Sequence, residues 1–449
     1  MVETMDPNKI KQIQLENDKG KLLASLKQSY ILEILNNEPQ SLNATIEDVE
    51  LLNDTILKAH STSNHLLLKE AIRCLRNCAI KNIDIKYQIL AANSSKTQLI
   101  IIYQDILSNE KYPVALKNVL LTFLINICIG NKDNAKIIWT SLDFKVYIEN
   151  KDLSDKMFAL AYNIFLVNDE LTVDLDLLMI LLKEENNEFA HFLLDLFIKN
   201  GTVFKYYDDI KDVQYRILIL QQLKELQHKK ELISWTKKNV ELLTSHFKKT
   251  SDCILKTVAD YINQIEPFEV SLLSDVIASL SSDEQCLRFI QYDRSLLINC
   301  AFLLKSIHDA GKEGNNHFAP IGKLSKVEDM GGDIKEHPAF GFRVNMIRIL
   351  GNMAWKMRCN QDEIRELDVI PLLLDCCNID GRNPFIIQWV VFAIRNILEN
   401  NIENQKIIAS LNKQGALDSA VLNELGLTLH DDGPNSINIA PLNLNGNNK

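Results

Sequence analysis

The chain has 449 residues, of which 46% are hydrophobic and 24% charged, and its net charge is −10. Its 15 Gly and 10 Pro are too few for the turns and phosphate loops of sheet-rich or doubly wound folds, and the acidic balance disfavours nucleic acid and anionic membrane as partners. No apolar run exceeds six residues (Leu177–Leu182, Trp389–Ile394), against the roughly twenty that a membrane-spanning helix needs.

Nine cysteines without a CxxC pair fit a reducing compartment. Met1–Lys11 lacks the apolar stretch of a signal peptide, and the last residues form no lipidation motif. The expectation is a cytoplasmic protein with no membrane insertion.

Apolar residues recur at i, i+3, i+4 and i+7 almost throughout, which predicts helices. Leu22, Leu23, Leu26, Tyr30 and Ile34 mark the first. Thr45 with Asp48 reads as a capping box that opens the second, with Val49, Leu52 and Ile56 inside. Ser282 with Gln285 is expected to open another, carrying Leu287, Phe289 and Ile290.

Six of the glycines fall between Gly311 and Gly341, a window of little apolar periodicity that predicts a long flexible loop. From His430 the chain is Asn-rich and predicts a poorly ordered tail with short extended pieces at Ile437–Leu444.

Asparagine, at 43 residues, is in excess, and part of that excess is periodic. The segment ending Asn396, Asn401, Asn404 repeats as Asn126, Asn131, Asn134 at identical offsets. Weaker copies hold Asn77 and Asn82, Asn163 and Asn168, and Asn352 and Asn360. The spacings between first asparagines are 49, 37, 189 and 44 residues; the short ones match armadillo or HEAT repeats, and the gap of 189 takes in degenerate copies and the Gly-rich loop. The fold class read from this is an all-α, armadillo/HEAT-like α-solenoid of about nine repeats with one long Gly-rich loop.

The domain boundaries expected are 1–310 for N-terminal repeats, 311–341 for the loop, 342–429 for C-terminal repeats and 430–449 for the tail. In each repeat the first Asn lies one turn before the end of the long helix. The second is expected in left-handed conformation at the helix C-terminus, and the third as an N-cap. A buried amide could also tie one repeat's backbone to the next.

No constellation carries chemistry. P-loop, GxGxxG, GxSxG and HExxH patterns are absent, and the nine His are scattered, so no catalytic residue and no cofactor is assigned. Cys74 with Cys78 and Cys376 with Cys377 interrupt apolar faces and read as core cysteines rather than metal ligands. Lys229-Lys230, Lys237-Lys238 and Lys248-Lys249 recur near whole helical turns and read as a solvated face. A Trp-x-x-x-Asn ladder of the importin type fits only Trp235 with Asn239 of the four tryptophans.

The segment Gly341–Leu411 holds Ile347-Arg348, Gly351-Asn352, Asn360-Gln361, Ile370-Pro371, Asn383-Pro384-Phe385, Trp389, Ile394-Arg395-Asn396 and Asn404-Gln405 in that order. It resembles the C-terminal domain of the ataxin-10 family, which has fungal members, and Gly415–Gly426 resembles the family's end. Locally, Pro371 suits the first turn of a helix, Asn383-Pro384 sets a turn and helix start, and Trp389 with Phe392 is expected in the core. Arg348 and Arg395 are read as equivalent repeat positions that brace neighbouring repeats or face a concave groove.

The resemblance implies a cytosolic, non-enzymatic, armadillo-like protein that binds other proteins, and the sequence leaves homo-oligomerisation open. The family is linked to cytokinesis, to cell survival and, in animals, to intracellular glycosylation and neurite growth. The alternative is a regulatory adaptor that holds a catalytic partner such as a glycosyltransferase, kinase or phosphatase. A copper- or zinc-handling protein ranks below both, although one fungal relative carries a copper-transport name.

Overall fold

The computed structural model describes residues 45–80, 86, 90, 95–258, 265–314, 316–321, 337–378, 380–410, 427–431 and 437–441. The expected first helix around Leu22 and the repeat residue Asn82 lie outside them. The chain forms two compact units, Met1–Phe197 and Ile198–Lys449. That division falls within the stretch the sequence reads as one N-terminal array.

In the first unit the helices are α1 (Ile46–Ser61), α2 (His65–Ala79), α3 (Ser95–Ser108), α4 (Val114–Cys128), α5 (Lys132–Ser141), α6 (Phe144–Ile148), α7 (Ser154–Val167), α8 (Leu175–Lys183) and the start of α9 (Glu188–Lys199). The capping box at Thr45 is present: Thr45 N donates to Asp48 Oδ2 at 2.7 Å, and Asp48 N donates to Thr45 Oγ1 at 3.3 Å. The long helices pack side by side in the order α1, α2, α4, α7. Leu68, Ile72, Leu120, Leu124, Phe158 and Leu160 are fully buried between them, each burial contributing roughly 1.5–3 kcal/mol.

The second unit continues with α10 (Val213–His228), α11 (Lys237–Thr250), α12 (Glu266–Ser281), α13 (Glu284–Ile290), α14 (Arg294–Glu313), α15 (Phe342–Ala354), α16 (Arg358–Glu366), α17 (Val369–Asp375), α18 (Ile386–Leu398) and α19 (Ile402–Ser410). Here α10, α12, α15 and α18 stack in turn. Within each unit this is the side-by-side packing of an armadillo/HEAT-like α-solenoid.

Three boundaries differ from expectation. α13 is capped by Asp283, which accepts from Gln285 N and Cys286 N at 2.9 Å. Ser282 instead ends α12, because a carboxylate one residue later outcompetes the hydroxyl.

The Gly-rich window is built in at both ends. α14 runs on to Glu313, and Gly311 is buried where an added Cβ would stand 2.5 Å from Phe318 O. Arg343 pairs with Asp380 at 3.4 Å and donates to Phe318 O at 2.8 Å, while Asp380 also accepts from Ile321 N at 3.0 Å. The His337 ring stacks on His317 with centroids 3.8 Å apart.

The tail carries an antiparallel hairpin of β1 (Leu427–Asp431) and β2 (Ile437–Pro441), with Leu429 opposite Ile439. The hairpin spans the expected boundary at 429 and contains the expected extended piece from Ile437.

Candidate functional site

The repeat asparagines are placed by where helices begin and end. The residue in left-handed conformation is one earlier than expected, Gly130 (φ 71°) in one repeat and Asn400 (φ 56°) in another. The second asparagine of these two sets is therefore the N-cap: Asn131 Oδ1 accepts from Asn134 N at 2.9 Å, and Asn401 Oδ1 accepts from Asn404 N at 3.1 Å. This frees the third for another role. Asn134 Nδ2 donates to Ile127 O and Lys86 O, Asn360 Nδ2 to Met353 O and Gln291 O, and Asn404 Nδ2 to Ile397 O and Gln361 O. In all three the first acceptor lies seven residues upstream and the second in the preceding repeat.

The Gln that follows extends the device. Gln361 Nε2 donates to Ala354 O at 3.3 Å, and reaches forward to Asn396 O at 2.9 Å and Glu399 O at 3.2 Å. Gln405, which is exposed, donates to Leu398 O at 2.9 Å. These amides satisfy helix-end carbonyls that would otherwise be orphaned in the core.

The first asparagines differ between units. Asn352 (6% exposed) donates to Ser281 Oγ at 2.9 Å and Ser282 Oγ at 3.2 Å on α12. Asn396 donates to Gly351 O at 2.9 Å, the tie between repeats that the sequence suggested. It is reached because α15 and α18 nearly touch: a Cβ on Gly351 would stand 2.8 Å from Ala393 Cα. Asn77, Asn126 and Asn163 are half-exposed. Asn163 donates within its own helix, to Ala159 O at 2.8 Å, and Asn77 Oδ1 accepts from neighbouring Arg76 at 3.1 Å.

Pro371 lies in the first turn of α17, as expected. Asn383 is buried, donates to Asp380 Oδ2 at 2.7 Å and accepts from Val344 N at 3.4 Å, so the Asn-Pro turn is locked to α15. Pro384 is exposed, and the turn ends at Phe385, which is left-handed (φ 64°) yet 71% exposed. A bulky residue held there costs about 1–3 kcal/mol.

Trp389 and Phe392 fall at i and i+3 and share one face of α18, and Phe385 stands just before that helix at its N-cap. The expected core position for Trp389 is corrected: it is half-buried, Phe392 is 36% exposed, and their rings meet edge to face at 5.7 Å. The apolar residues of α18 exceed what one core face takes up, so the helix carries a second, outward stripe.

Arg348 lies over the Trp389 ring, its guanidinium carbon 4.5 Å from the centroid. Its Nη2 donates to Ser282 Oγ at 3.3 Å, and its Nε is buried with no acceptor. Burial disfavours its charge, and the field of Asp275 works against that effect. Asp275 itself is held by Lys224 and by Asn345 Nδ2 at 2.6 Å.

Arg395 is exposed, and the equivalence with Arg348 fails. Arg348 stands four residues before Asn352, whereas Arg395 stands one before Asn396. Among the described residues neither has a carboxylate within salt-bridge distance. Arg216, Arg294, Arg343, Arg358 and Arg365 each do.

Elsewhere the chemistry is structural. Glu269 is buried and accepts from Tyr207 Oη at 2.9 Å and from both arms of Arg216, with His246 Nε2 at 3.1 Å. His246 Nδ1 meets Asp208 at 2.8 Å. Although burial opposes it, hydrogen bonds from His246 and Arg216 hold the Glu269 carboxyl down at about 2. Cys74 and Cys78 are core residues whose thiols burial pushes up, Cys78 to about 12.

No group of three or more His, Cys, Asp or Glu among the described residues could hold a metal, and no described helix is long and apolar enough to cross a membrane. The lysine pairs do not form a free basic face, since Lys229 meets Glu225 at 2.6 Å, Lys237 meets Glu241 at 3.5 Å and Lys248 meets Asp293 at 2.6 Å. A cleft of about 340 Å³ lies between Leu232 and Trp235 on one side and Arg288 and Phe289 on the other.

Residues 342–439, which include the α15–α18 face, match the family described as the spinocerebellar ataxia type 10 protein domain. Ataxin-10 of Homo sapiens is 27% identical over 425 residues, 90% of this chain and 87% of the relative. Ataxin-10 of Xenopus tropicalis is 30% identical over 392 residues, 82% of this chain and 79% of the relative. The ataxin-10 homolog of Dictyostelium discoideum is 52% identical over 87 residues, 19% of this chain and 14% of the relative. A helical-repeat chain matched along most of its length by the human and Xenopus relatives, and over its C-terminal amide-stapled repeats by the family's own domain, belongs to the ataxin-10 family.

Proposed function

We propose that this protein acts without catalysis, as an interaction scaffold in the cytoplasm that regulates cytokinesis or cell survival through bound partners. One observation carries the reading: the C-terminal repeats turn aromatic residues, Phe385, Trp389 and Phe392, outward beside an arginine that has no carboxylate within salt-bridge distance among the described residues. A folding core gains nothing from such a stripe, whereas aromatic residues and Arg are the groups that anchor protein interfaces. Fold membership alone assigns no activity.

The test is affinity capture with the full chain from native cells, followed by identification of what co-purifies. Cytoskeletal or polarity proteins in stoichiometric yield support the scaffold. A stable catalytic subunit moves the reading to a regulatory adaptor, and turnover of a small molecule by the isolated chain contradicts both.

A further inference from the structure

We propose that the face made by Phe385, Trp389, Phe392 and Arg348 holds an extended acidic segment of a partner protein, with a carboxylate on Arg348 and a neighbouring apolar side chain on the aromatic stripe. This rests on the reading that the chain works by binding proteins, and adds which chemistry it recognises.

The argument begins with Arg348. Its guanidinium lies over Trp389 at 4.5 Å, so the ring covers one face of the guanidinium. Among the described residues its one side-chain hydrogen bond is the 3.3 Å contact from Nη2 to Ser282 Oγ, and Nη1 has no acceptor there. A planar fork of this kind takes a carboxylate through two parallel N–H···O bonds. The nearby acid, Asp275, is already held by Lys224 and Asn345. A half-buried cation with no carboxylate in contact among the described residues carries a cost that an incoming carboxylate lowers.

The aromatic side of the face points the same way. Phe385 is 71% exposed although its backbone is left-handed, so the fold holds a large apolar group in water in a strained conformation. Arg395, exposed and with no carboxylate within salt-bridge distance among the described residues, adds a second positive charge on α18. Two such arginines in a chain of net charge −10 favour an acidic partner by charge complementarity at short range and without long-range steering.

The test is selection of a randomised 12-residue displayed peptide library on the immobilised full chain, with enriched peptides measured by calorimetry against the wild type, Arg348→Gln, Arg348→Lys and Trp389→Ala. The expected result is peptides sharing an Asp or Glu next to an apolar residue. They should weaken about tenfold or more on Arg348→Gln and on Trp389→Ala, and less on Arg348→Lys. Melting curves of the variants that overlay the wild type show that binding, not folding, has changed.

Enriched peptides without an acidic residue, or insensitive to Arg348→Gln, overturn the site while leaving a partner-binding protein standing. No enrichment at all overturns both. A fall in molar mass by light scattering on Arg348→Gln assigns the face to a second copy and overturns the proposal. So does Arg348-dependent binding of a 20-residue oligouridylate.

Discussion

The repeats of the two units use the same residue at the same place for different ends. In the first unit Asn163 donates inside its own helix, and Asn77 and Asn126 stay half-exposed. In the second, Asn352 and Asn396 are buried and cross to the neighbouring long helix. The third asparagine does not change, since Asn134 and Asn404 staple the same two kinds of carbonyl in both units. At Asn396 the cause is a close approach of two long helices. Gly351 lets α15 and α18 come within backbone contact, and at that distance an amide spans the gap. The first asparagine is thus optional and set by local packing, whereas the third is part of the repeat itself.

The sharpest way to break the second unit is at its buried ion pair. Asp380→Ala leaves Arg343 uncompensated and removes the anchor of Ile321, and should cost about 3–5 kcal/mol in denaturant unfolding. A loss below about 1 kcal/mol would show that the Gly-rich window is not built into the C-terminal repeats. Gly351→Ala should cost about 1–3 kcal/mol, because its new methyl group meets Ala393. Unchanged stability there would deny the close approach.

The comparison itself is tested by a pair of variants. Asn396→Leu leaves Gly351 O without its donor and should cost about 1–3 kcal/mol, while Asn163→Leu should stay within about 0.5 kcal/mol. Equal losses would make the two ladders the same.

The smallest effect expected is one of pH. His246 is raised above its ordinary 6.5, since its carboxylate partners Glu269 and Asp208 outweigh burial. Its contribution is complete below that value and is lost as pH rises through the folded pKa. His246→Gln should therefore flatten the decline in stability above pH about 6.5. A wild type whose stability rises with pH in that window would contradict the assignment.

Much of this was legible locally. The Thr45 capping box needs only neighbours three residues apart, and it forms as the sequence predicts. The asparagine repeat was legible as spacing, but its roles slipped by one residue because Gly130 and Asn400 take the left-handed turn. Ser282 lost the cap to Asp283 and gained a bond to Asn352 instead, a contact 70 residues away that no local pattern announces.

Trp389 was placed in the core because periodicity shows an apolar face without showing which neighbour covers it. The Glu269 network joins residues as much as 62 positions apart, and nothing in their spacing marks them. Gly351 carried a readable signal, a glycine inside an otherwise apolar helix, which often marks a close helix approach.

The central claim is that the outward stripe of α18 exists for binding. It is tested most directly by comparing the full chain with the double variant Phe385→Ala, Trp389→Ala against one partner recovered by affinity capture. The account predicts a melting curve within a few degrees of wild type and a loss of affinity of about tenfold or more. Unchanged affinity, or a loss that appears only together with unfolding, would contradict it.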